Sequence, residues 1–364
     1  MTDKWTAIWG GVIGLGLAAL GYANPAVRGH ETPKADAQVL ADGKWASQFT
    51  AAFDKQLAIR DGAINAWTAF SYGLFREGRD GVLPGRDGWL FSREEYDAPR
   101  LSSGVTATIR QAADARQALE SRGIHLLVVI VPAKARIYGE ATGRYAWPDS
   151  LHPVYDDLIL GLGRAGVPVV DLRPTLLAVK SHEPAYFHTD THWTPAGAQA
   201  AAGAIAQAVR AHGGFSTPPE ADRLQVSTQA PKAMAGDLLN FIPLGPWFEK
   251  IGPAPDRLAE PVFTRSDSGD DEGGLLGDAA TPALLVGTSY SADERWGFAN
   301  DLEQDLGVGL VNAAEKGEGP FLPMQKLLTG GTLDEARPEW VIWEIPERYV
   351  WMNLTKPEGS AAPK

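Results

Sequence analysis

A serine, a histidine and an aspartate in two short segments could carry nucleophilic chemistry. Ser289 follows an apolar run, in LLVGTSYSADE, and Asp190 and His192 stand two residues apart in YFHTDTHWTPAG. In an extended segment that spacing puts both side chains on one face. A serine hydroxyl is a weak nucleophile until a base accepts its proton, and a carboxylate can orient that base. Together the two segments predict acyl transfer by a Ser289–His192–Asp190 triad.

Each segment alone also has a structural interpretation. Ser289 could be an ordinary turn residue, and His192 could be a hydrogen-bonded histidine before a helix. Ser291 and Glu294 have the spacing of a capping box, which predicts Ser291 as the cap and leaves Ser289 free in the turn. The backbone N–H of Ser289, near that helix start, is then a candidate oxyanion donor. The sequence lacks the G-x-S-x-G elbow around Ser289, so an α/β-hydrolase is not expected.

A metal site is the alternative for the histidine segment. His188, Asp190 and His192 follow one another at every second position and could all face a divalent cation. A metal would leave the turn at Ser289 unexplained, and the sequence nominates no further ligand. The prediction is therefore a reaction without a metal or another cofactor.

Strands and helices that alternate along the chain must position these residues. The apolar runs predict strands at residues 125–132, 167–173, 283–287, 308–312 and 339–346. Helical patterns lie at residues 106–122 and 155–165, and a further helix starts at Thr194 and Pro195. This alternation predicts an α/β fold, with a parallel sheet flanked by helices and chemistry at the carboxyl ends of its strands.

Three other stretches complete the predicted organisation. Residues 34–75 have apolar residues at helical spacing, and VLPGRDGWLF (residues 82–91) predicts a turn between two short strands. Residues 213–281 are rich in proline and glycine, which predicts a long surface insertion. The predicted domains are residues 1–24, a signal peptide or uncleaved signal anchor, and residues 25–364, a single catalytic domain.

Composition narrows the function and the compartment. The net charge of −12 argues against nucleic-acid binding through a basic surface, and the absence of cysteine excludes thiol chemistry. Residues 5–23 form an uncharged, largely apolar run of about 19 residues, near the length that crosses a bilayer. Small residues at its end also fit a cleaved secretory signal. We therefore expect a periplasmic protein, tethered to the inner membrane or released by cleavage.

At D-T-H-W-T-P (residues 190–195) and G-T-S-Y-S (residues 287–291) the sequence resembles the periplasmic alginate O-acetyltransferase family. VLPGRDGWLF and VPAKARIYGE (residues 131–140) are also similar, and the similarity runs from about Trp45 to Arg348. The resemblance implies an SGNH-hydrolase-like domain with a circularly permuted motif order, because the D-x-H motif precedes the serine. Few residues follow Arg348, so the expected relatives are the single-domain, membrane-anchored members.

The resemblance also implies a function and partners. Ser289 would accept an acetyl group and pass it to a hydroxyl of an exported polysaccharide, typically a mannuronate residue of alginate. His192 would be the general base and Asp190 its orienting partner, and a multi-span membrane O-acyltransferase would supply the acetyl groups. Two alternatives stay open: a carbohydrate acetyl esterase with the same triad, and a non-catalytic scaffold of a polysaccharide export complex.

The proposed substrate conflicts with the charge of the chain. Alginate is a polyanion, so a chain with a net charge of −12 needs a local group of cations to bind it. The candidate cations are Lys134, Arg136, Arg295 and Arg348. Tyr290 and Trp193 could stack on a sugar ring. For the cations the structural alternative is a solvated surface charge, and for the two aromatic residues it is core packing.

Overall fold

The computed structural model describes residues 19, 22–25, 34, 42, 44–57, 59–97, 101–216, 219, 224–265 and 281–352. The chain divides into two compact units: Met1–Gly78 with Ile242–Gly252, and Arg79–Phe241 with Pro253–Lys364. Within the described ranges, no helix is both long enough and apolar enough to cross a bilayer. The predicted membrane segment, residues 5–23, lies outside the described residues apart from residues 19, 22 and 23, so its role stays a prediction.

The secondary structure follows the predicted alternation. The strands are β1 (Val82–Pro84), β2 (Leu90–Ser92), β3 (His125–Val131), β4 (Val169–Asp171), β5 (Leu224–Thr228), β6 (Lys232–Met234), β7 (Asp256–Leu258), β8 (Pro261–Arg265), β9 (Ala283–Val286), β10 (Leu310–Asn312) and β11 (Trp340–Pro346). The α-helices are α1 (Lys44–Gln56), α2 (Arg60–Phe75), α3 (Leu101–Glu120), α4 (Lys134–Ile137), α5 (Val154–Arg164), α6 (Arg173–Lys180), α7 (Pro195–Ala211), α8 (Phe248–Ile251), α9 (Ser289–Ala292), α10 (Phe298–Leu306), α11 (Phe321–Thr329), α12 (Thr332–Ala336) and α13 (Arg348–Met352).

A five-stranded parallel sheet forms the centre of the second unit, in the order β10-β9-β11-β3-β4. β11 pairs with β3 along its whole length, from Trp340 opposite His125 to Pro346 opposite Val131. On its other side β11 pairs with β9, whose four residues are all buried. All five predicted strands are therefore confirmed, and β9, β11 and β3 bring their carboxyl ends to one edge.

Both faces of this sheet are covered, which is why its strands read as continuous apolar runs. On one face, Leu127 and Val129 of β3 belong to a core cluster with residues of α7 and α10. On the other face, Val128 and Ile130 belong to a cluster with residues of α3, α5 and α11. The predicted arrangement of a parallel sheet between helices is confirmed.

The start of α7 fixes the end of the histidine segment. Thr194 caps the helix, because its Oγ1 accepts a hydrogen bond from the N–H of Gly197 at 3.2 Å. Pro195 is the first helical residue, where a missing N–H has no cost. The predicted helix start is confirmed. The cap therefore fixes the position at which residues 186–193 end and α7 begins.

The β1–β2 hairpin and the long segment before β9 both reach the histidine segment. Leu90 N donates to the carbonyl of His188 at 2.8 Å. Within the predicted insertion, β5 pairs with β8 and β6 pairs with β7, both antiparallel. Gly236, in the same insertion, lies so close to the histidine segment that a Cβ there would be 2.1 Å from the Thr189 carbonyl oxygen. The insertion is therefore part of the structure that holds the candidate site.

Candidate active site

The turn after β9 exposes one serine and buries the next. Thr288 caps α9 through its Oγ1, which accepts from Tyr290 N at 3.3 Å, and Ser289 is the first helical residue. Ser289 is half-buried, whereas Ser291 is only 2% exposed and donates from its Oγ to Glu344 at 3.0 Å. The prediction that Ser291 caps a helix was wrong, because this hydroxyl is bound to a buried carboxylate instead. Ser289 is nevertheless not used as a cap, because Thr288 caps α9.

Glu344, near the carboxyl end of β11, binds the turn at residues 287–291, which we refer to as the nucleophile turn. Its carboxylate accepts from Thr288 N at 2.7 Å, from Thr288 Oγ1 at 3.0 Å and from Ser291 Oγ at 3.0 Å. Burial raises the pKa of Glu344, and the hydrogen bonds from Thr288 and Ser291 oppose that rise. Gly287 must be a glycine, because a Cβ there would lie 2.4 Å from Glu344 Oε2. The carboxylate therefore fixes the backbone that presents Ser289.

The structure brings the three predicted catalytic residues into one hydrogen-bonded line. Ser289 Oγ lies 2.7 Å from His192 Nε2, and His192 Nδ1 lies 2.6 Å from Asp190 Oδ1. Nδ1 donates to the carboxylate if His192 is in the tautomer that leaves Nε2 free to accept from the serine hydroxyl. This is the arrangement in which a histidine can remove the proton of a serine nucleophile.

The carboxylate of Asp190 is held in place by backbone donors as well as by the imidazole. His192 N donates to Oδ1 at 2.9 Å, and Asp237 N donates to Oδ2 at 2.9 Å. Burial raises the pKa of Asp190, but the hydrogen bond from His192 and the attraction between the two groups outweigh it, so the pKa lies below its usual value. Asp190 is therefore an ionised partner that can stabilise a positively charged imidazole.

A second aspartate holds the residue between Asp190 and His192. Asp237 Oδ1 accepts from Thr191 N at 2.8 Å, and Asp237 Oδ2 accepts from Thr191 Oγ1 at 2.5 Å. The 3-10 helix Asp237–Phe241 carries this aspartate, directly after Gly236. The insertion thus clamps the histidine segment through both the backbone and the side chain of Asp237.

Lys134 lies beneath the same segment and is fully buried. Its Nζ donates to the carbonyl oxygens of Leu90 at 2.6 Å, His188 at 2.9 Å and Asp190 at 2.9 Å. Burial lowers the pKa of Lys134 to about 8, although Glu95, Asp256 and Asp190 oppose the change. The prediction that Lys134 binds a polyanion at the surface was wrong, because its ammonium is sealed under the histidine segment.

The predicted metal set of His188, Asp190 and His192 does not form. His188 Nδ1 faces Asp256 Oδ1 at 3.2 Å, and Asp256 also accepts from Thr189. Among the described residues, Asp190, His192 and Asp237 do have ligand atoms within 4.8 Å of one another. Each of those atoms has a protein partner: both carboxylates accept from N–H groups, and the two imidazole nitrogens face Asp190 and Ser289. The geometry of this cluster is explained without an ion.

Aromatic residues form the wall behind the imidazole. The His192 ring stacks on Trp296, with ring centroids 5.5 Å apart, and lies 4.8 Å from Tyr290. Trp193 packs edge-on against Tyr290, and the Tyr290 hydroxyl donates to the carbonyl of Thr191 at 2.6 Å. Trp193 and Tyr290 are buried, so neither has a face open to a sugar ring. The core-packing alternative is the correct one for both.

The predicted cations separate into buried and exposed groups. Arg136 forms a bidentate pair with the buried Glu347, and Arg348 is only 6% exposed, so the prediction that these two residues bind a polyanion at the surface was wrong. Arg295 is different: its side chain is 45% exposed, its guanidinium lies 4.5 Å from the Trp296 ring centroid, and it pairs with Asp293 at 2.7 Å. Because Trp296 in turn stacks on His192, Arg295 is the predicted cation that is both exposed and near the triad.

Sequence reasoning missed Glu344, Asp237 and Thr191. A signal for Glu344 was present, since an acidic residue inside the apolar run EWVIWEIP must find hydrogen-bond donors when that strand is buried. Asp237 had no comparable signal, because it lies in an irregular Pro- and Gly-rich segment 45 positions beyond His192. Only the folded chain brings it to Thr191.

Comparisons with known proteins identify the family to which the chain belongs. Residues 82–347 match the family described as SGNH hydrolase-like domain, acetyltransferase AlgX. "Probable alginate O-acetylase AlgJ" of Azotobacter vinelandii is 40% identical over 335 residues, which cover 90% of this chain and 84% of that protein. The protein of the same name from Pseudomonas aeruginosa is 36% identical over 359 residues, with 96% and 89% coverage. The solved O-acetyltransferase domain of Pseudomonas putida AlgJ superposes with a TM-score of 0.68 at 35% identity, covering 75% of this chain and 93% of that one.

Proposed function

Because this chain belongs to the family of SGNH hydrolase-like acetyltransferases, we propose that Ser289, His192 and Asp190 transfer acetyl groups to the hydroxyls of alginate. The chain is an O-acetyltransferase with the SGNH-like fold of that family. The roles of the three residues and the identity of the polymer are the proposal. The observation that carries it is the continuous hydrogen-bonded line from Ser289 Oγ through His192 to Asp190.

The first half of the reaction loads the serine. Ser289 Oγ attacks the carbonyl carbon of an acetyl ester while its proton moves to His192 Nε2, and Asp190 stabilises the imidazolium. The bond between the acetyl carbon and the leaving oxygen breaks, and that oxygen takes the proton from His192. The result is an acetyl ester on Ser289 and a neutral imidazole. The N–H of Ser289, at the start of α9, is proposed as one donor to the developing oxyanion.

The second half passes the acetyl group to the acceptor. A sugar hydroxyl takes the position of the departed alcohol. His192 Nε2 accepts the proton of this hydroxyl while the sugar oxygen attacks the acetyl carbon. When the intermediate collapses, Ser289 Oγ leaves and recovers the proton from His192. If water attacks instead, the same residues hydrolyse the ester. The competition between sugar and water therefore distinguishes the transferase from the esterase alternative.

Alginate is proposed as the acceptor because the AlgJ relatives are named alginate O-acetylases. Arg295 supports this proposal, since it offers an exposed guanidinium beside Trp296. Its charge is partly neutralised by Asp293. Burial raises the pKa of Asp293, but the hydrogen bonds from Arg295 outweigh burial and lower this pKa to about 2. A uronate carboxylate could take the bidentate place that Asp293 now occupies.

The cellular setting is a further part of the proposal. We propose that residues 5–23 hold the chain in the inner membrane with the two units in the periplasm, and that a membrane O-acyltransferase supplies the acetyl groups. The membrane anchoring is supported by the uncharged apolar run of about 19 residues, which is near the length that a helix needs to cross a bilayer. The role of the membrane O-acyltransferase is supported by the family resemblance.

An acceptor experiment tests this proposal. The chain is incubated with an activated acetyl ester, with and without mannuronate oligosaccharides, and acetylated sugar and free acetate are both measured. We expect acetylated oligosaccharide from the unchanged chain and from Ser121→Ala, an exposed serine directly after α3, and none from Ser289→Ala. Free acetate with no acetylated sugar would support the esterase alternative. Equal transfer by Ser289→Ala would overturn the proposed mechanism.

A further inference from the structure

The helix α2 in the first unit carries an exposed apolar face that nothing in the reaction uses. Trp67, Phe70, Leu74 and Phe75 are 69%, 51%, 65% and 49% exposed, and we refer to these residues as the aromatic face. The rings contact one another, with centroids 5.8 Å apart for Trp67–Phe70 and for Phe70–Phe75. Large exposed apolar residues that cluster in this way are typical of an interaction surface.

The aromatic face continues into small residues and contains no charge. Residues 62–75 read GAINAWTAFSYGLF, without a single acidic or basic side chain. The opposite side of the helix is packed, since Thr68 and Tyr72 are buried. Gly62, Ala63, Ala66 and Gly73 of the same helix are also exposed. An ordinary solvent-facing helix surface carries charged or polar residues there.

The first unit is also tied to the end of the apolar run. Asn24 directly follows residues 5–23 and is only 2% exposed. Its Nδ2 donates to the carbonyl of Phe53, in α1, at 2.8 Å. If residues 5–23 lie in a bilayer, this hydrogen bond keeps α1 and α2 at the membrane surface, because Asn24 is the first residue after the run.

We propose that the aromatic face of α2 inserts into the interfacial layer of a lipid bilayer; this inference rests on the proposed membrane anchoring of residues 5–23. Tryptophan and phenylalanine favour that layer, where an apolar face is removed from water while the helix lies in the plane of the membrane. The absence of lysine and arginine in residues 62–75 makes the contact apolar. Insertion is therefore expected in neutral lipid and at high salt.

The experiment uses the full chain, which contains no cysteine and so accepts a single labelled one. Phe70→Cys and Leu74→Cys each receive a nitroxide label, and the chain is reconstituted in phosphatidylcholine vesicles. Spin relaxation by oxygen, which concentrates in lipid, is compared with relaxation by a water-soluble nickel complex. The matched control is Leu160→Cys on α5, because Leu160 is also apolar and 55% exposed.

We expect the ratio of oxygen to nickel accessibility at positions 70 and 74 to be severalfold higher than at position 160, with no change in 1 M salt. A ratio equal to that of the control, on a chain that floats with the vesicles, would overturn the inference and leave the membrane anchor standing. Labels shielded from both reagents would also overturn it, since a protein then covers the face. A chain that does not float with the vesicles would overturn the anchor and this inference together.

Discussion

The two halves of the candidate site are held in different ways. In the nucleophile turn, three donors of Thr288 and Ser291 converge on the single carboxylate of Glu344, and Asn312 Nδ2 also donates to the Ser291 carbonyl at 2.8 Å. The histidine segment is held by two anchors from distant parts of the chain. Lys134 binds its carbonyl oxygens, and Asp237 binds both Asp190 and Thr191.

This difference predicts how each half tolerates damage. Losing Glu344 leaves three donors of the buried Thr288 and Ser291 without their common acceptor, whereas losing one anchor of the histidine segment leaves the other. Precise placement matters to catalysis, because a shift of about 1 Å can cost on the order of 10²-fold in rate. Substitutions should therefore be more harmful at Glu344 than at Lys134 or Asp237.

Asp190→Asn should have the largest effect, because it replaces the orienting carboxylate itself. An amide cannot stabilise the imidazolium and can favour the wrong tautomer of His192, which in a serine protease triad costs about 10⁴-fold in kcat. We expect a loss of that order here, measured as release of a chromophoric alcohol from an activated acetyl ester. Asp114→Asn, an exposed aspartate of α3, is the control and should be unchanged. A loss of less than about tenfold at position 190 would contradict the assigned role.

Glu344→Gln should be next, with a loss on the order of 10²-fold in kcat. The glutamine oxygen can replace Oε2, but its NH2 group takes the place of Oε1, which accepts from Thr288 Oγ1 at 3.1 Å, and brings two donors into a fully buried site, so the turn must shift. The exposed Glu335→Gln of α12 is the matched control. If Glu344→Gln kept nearly full activity while Lys134→Met lost it, the comparison between the two halves would be wrong.

Lys134→Met should cost about tenfold in activity, because three carbonyl oxygens lose their donor while Asp237 still holds the segment. The pH dependence of the activity tests the role of the Lys134 ammonium more specifically. A neutral amine has two N–H bonds for three carbonyl oxygens, so activity that depends on this clamp should fall as pH rises through about 8, the pKa of Lys134. The methionine variant should lack this component.

Stability should change with pH in the opposite direction to activity. The pKa of Lys134 is about 8 in the folded chain and 10.5 when unperturbed, so between these values the unfolded chain binds the proton more tightly. The contribution of Lys134 to the free energy of unfolding therefore rises with pH across this window. Denaturant unfolding of the unchanged chain and of Lys134→Met, at pH 7 and pH 9.5, measures it. We expect the free energy of unfolding of the unchanged chain, minus that of Lys134→Met, to be higher at pH 9.5 than at pH 7. A lower value at pH 9.5 would contradict the burial of a charged lysine.

Asp237→Ala should have the smallest effect of the four. It removes the acceptor for Thr191 N and Oγ1, but the backbone N–H of residue 237 can still donate to Asp190. Because Asp190 and Lys134 still hold the segment, we expect the rate to lose no more than the equivalent of one hydrogen bond, about 1 kcal/mol or roughly fivefold. Thr191→Val, which loses only the hydroxyl contact, should cost less. A loss at Asp237→Ala as large as that at Glu344→Gln would remove the distinction between the two halves.

Much of this architecture was predictable from local patterns. The central strands are continuous apolar runs, and Thr194 with Pro195 marks a helix start, so both were predicted correctly. The pairing of Ser289 with His192 and Asp190 also followed from residue types and spacing. The capping of Ser291 and the surface roles of Lys134, Trp193 and Tyr290 were predicted wrongly. Their positions are decided by contacts between residues far apart in the chain, such as Ser291 with Glu344, which local sequence does not encode.

The most direct test of the account is whether Ser289 carries the acetyl group. The chain is mixed with an activated acetyl ester, quenched in acid after a short time, and measured by intact mass and peptide mapping, beside Ser289→Ala and Ser121→Ala. We predict a single acetyl group on the peptide that contains Ser289, present in Ser121→Ala and absent in Ser289→Ala. An adduct that persists in Ser289→Ala, or turnover by that variant at the unchanged rate, would contradict the assignment of Ser289 as the nucleophile.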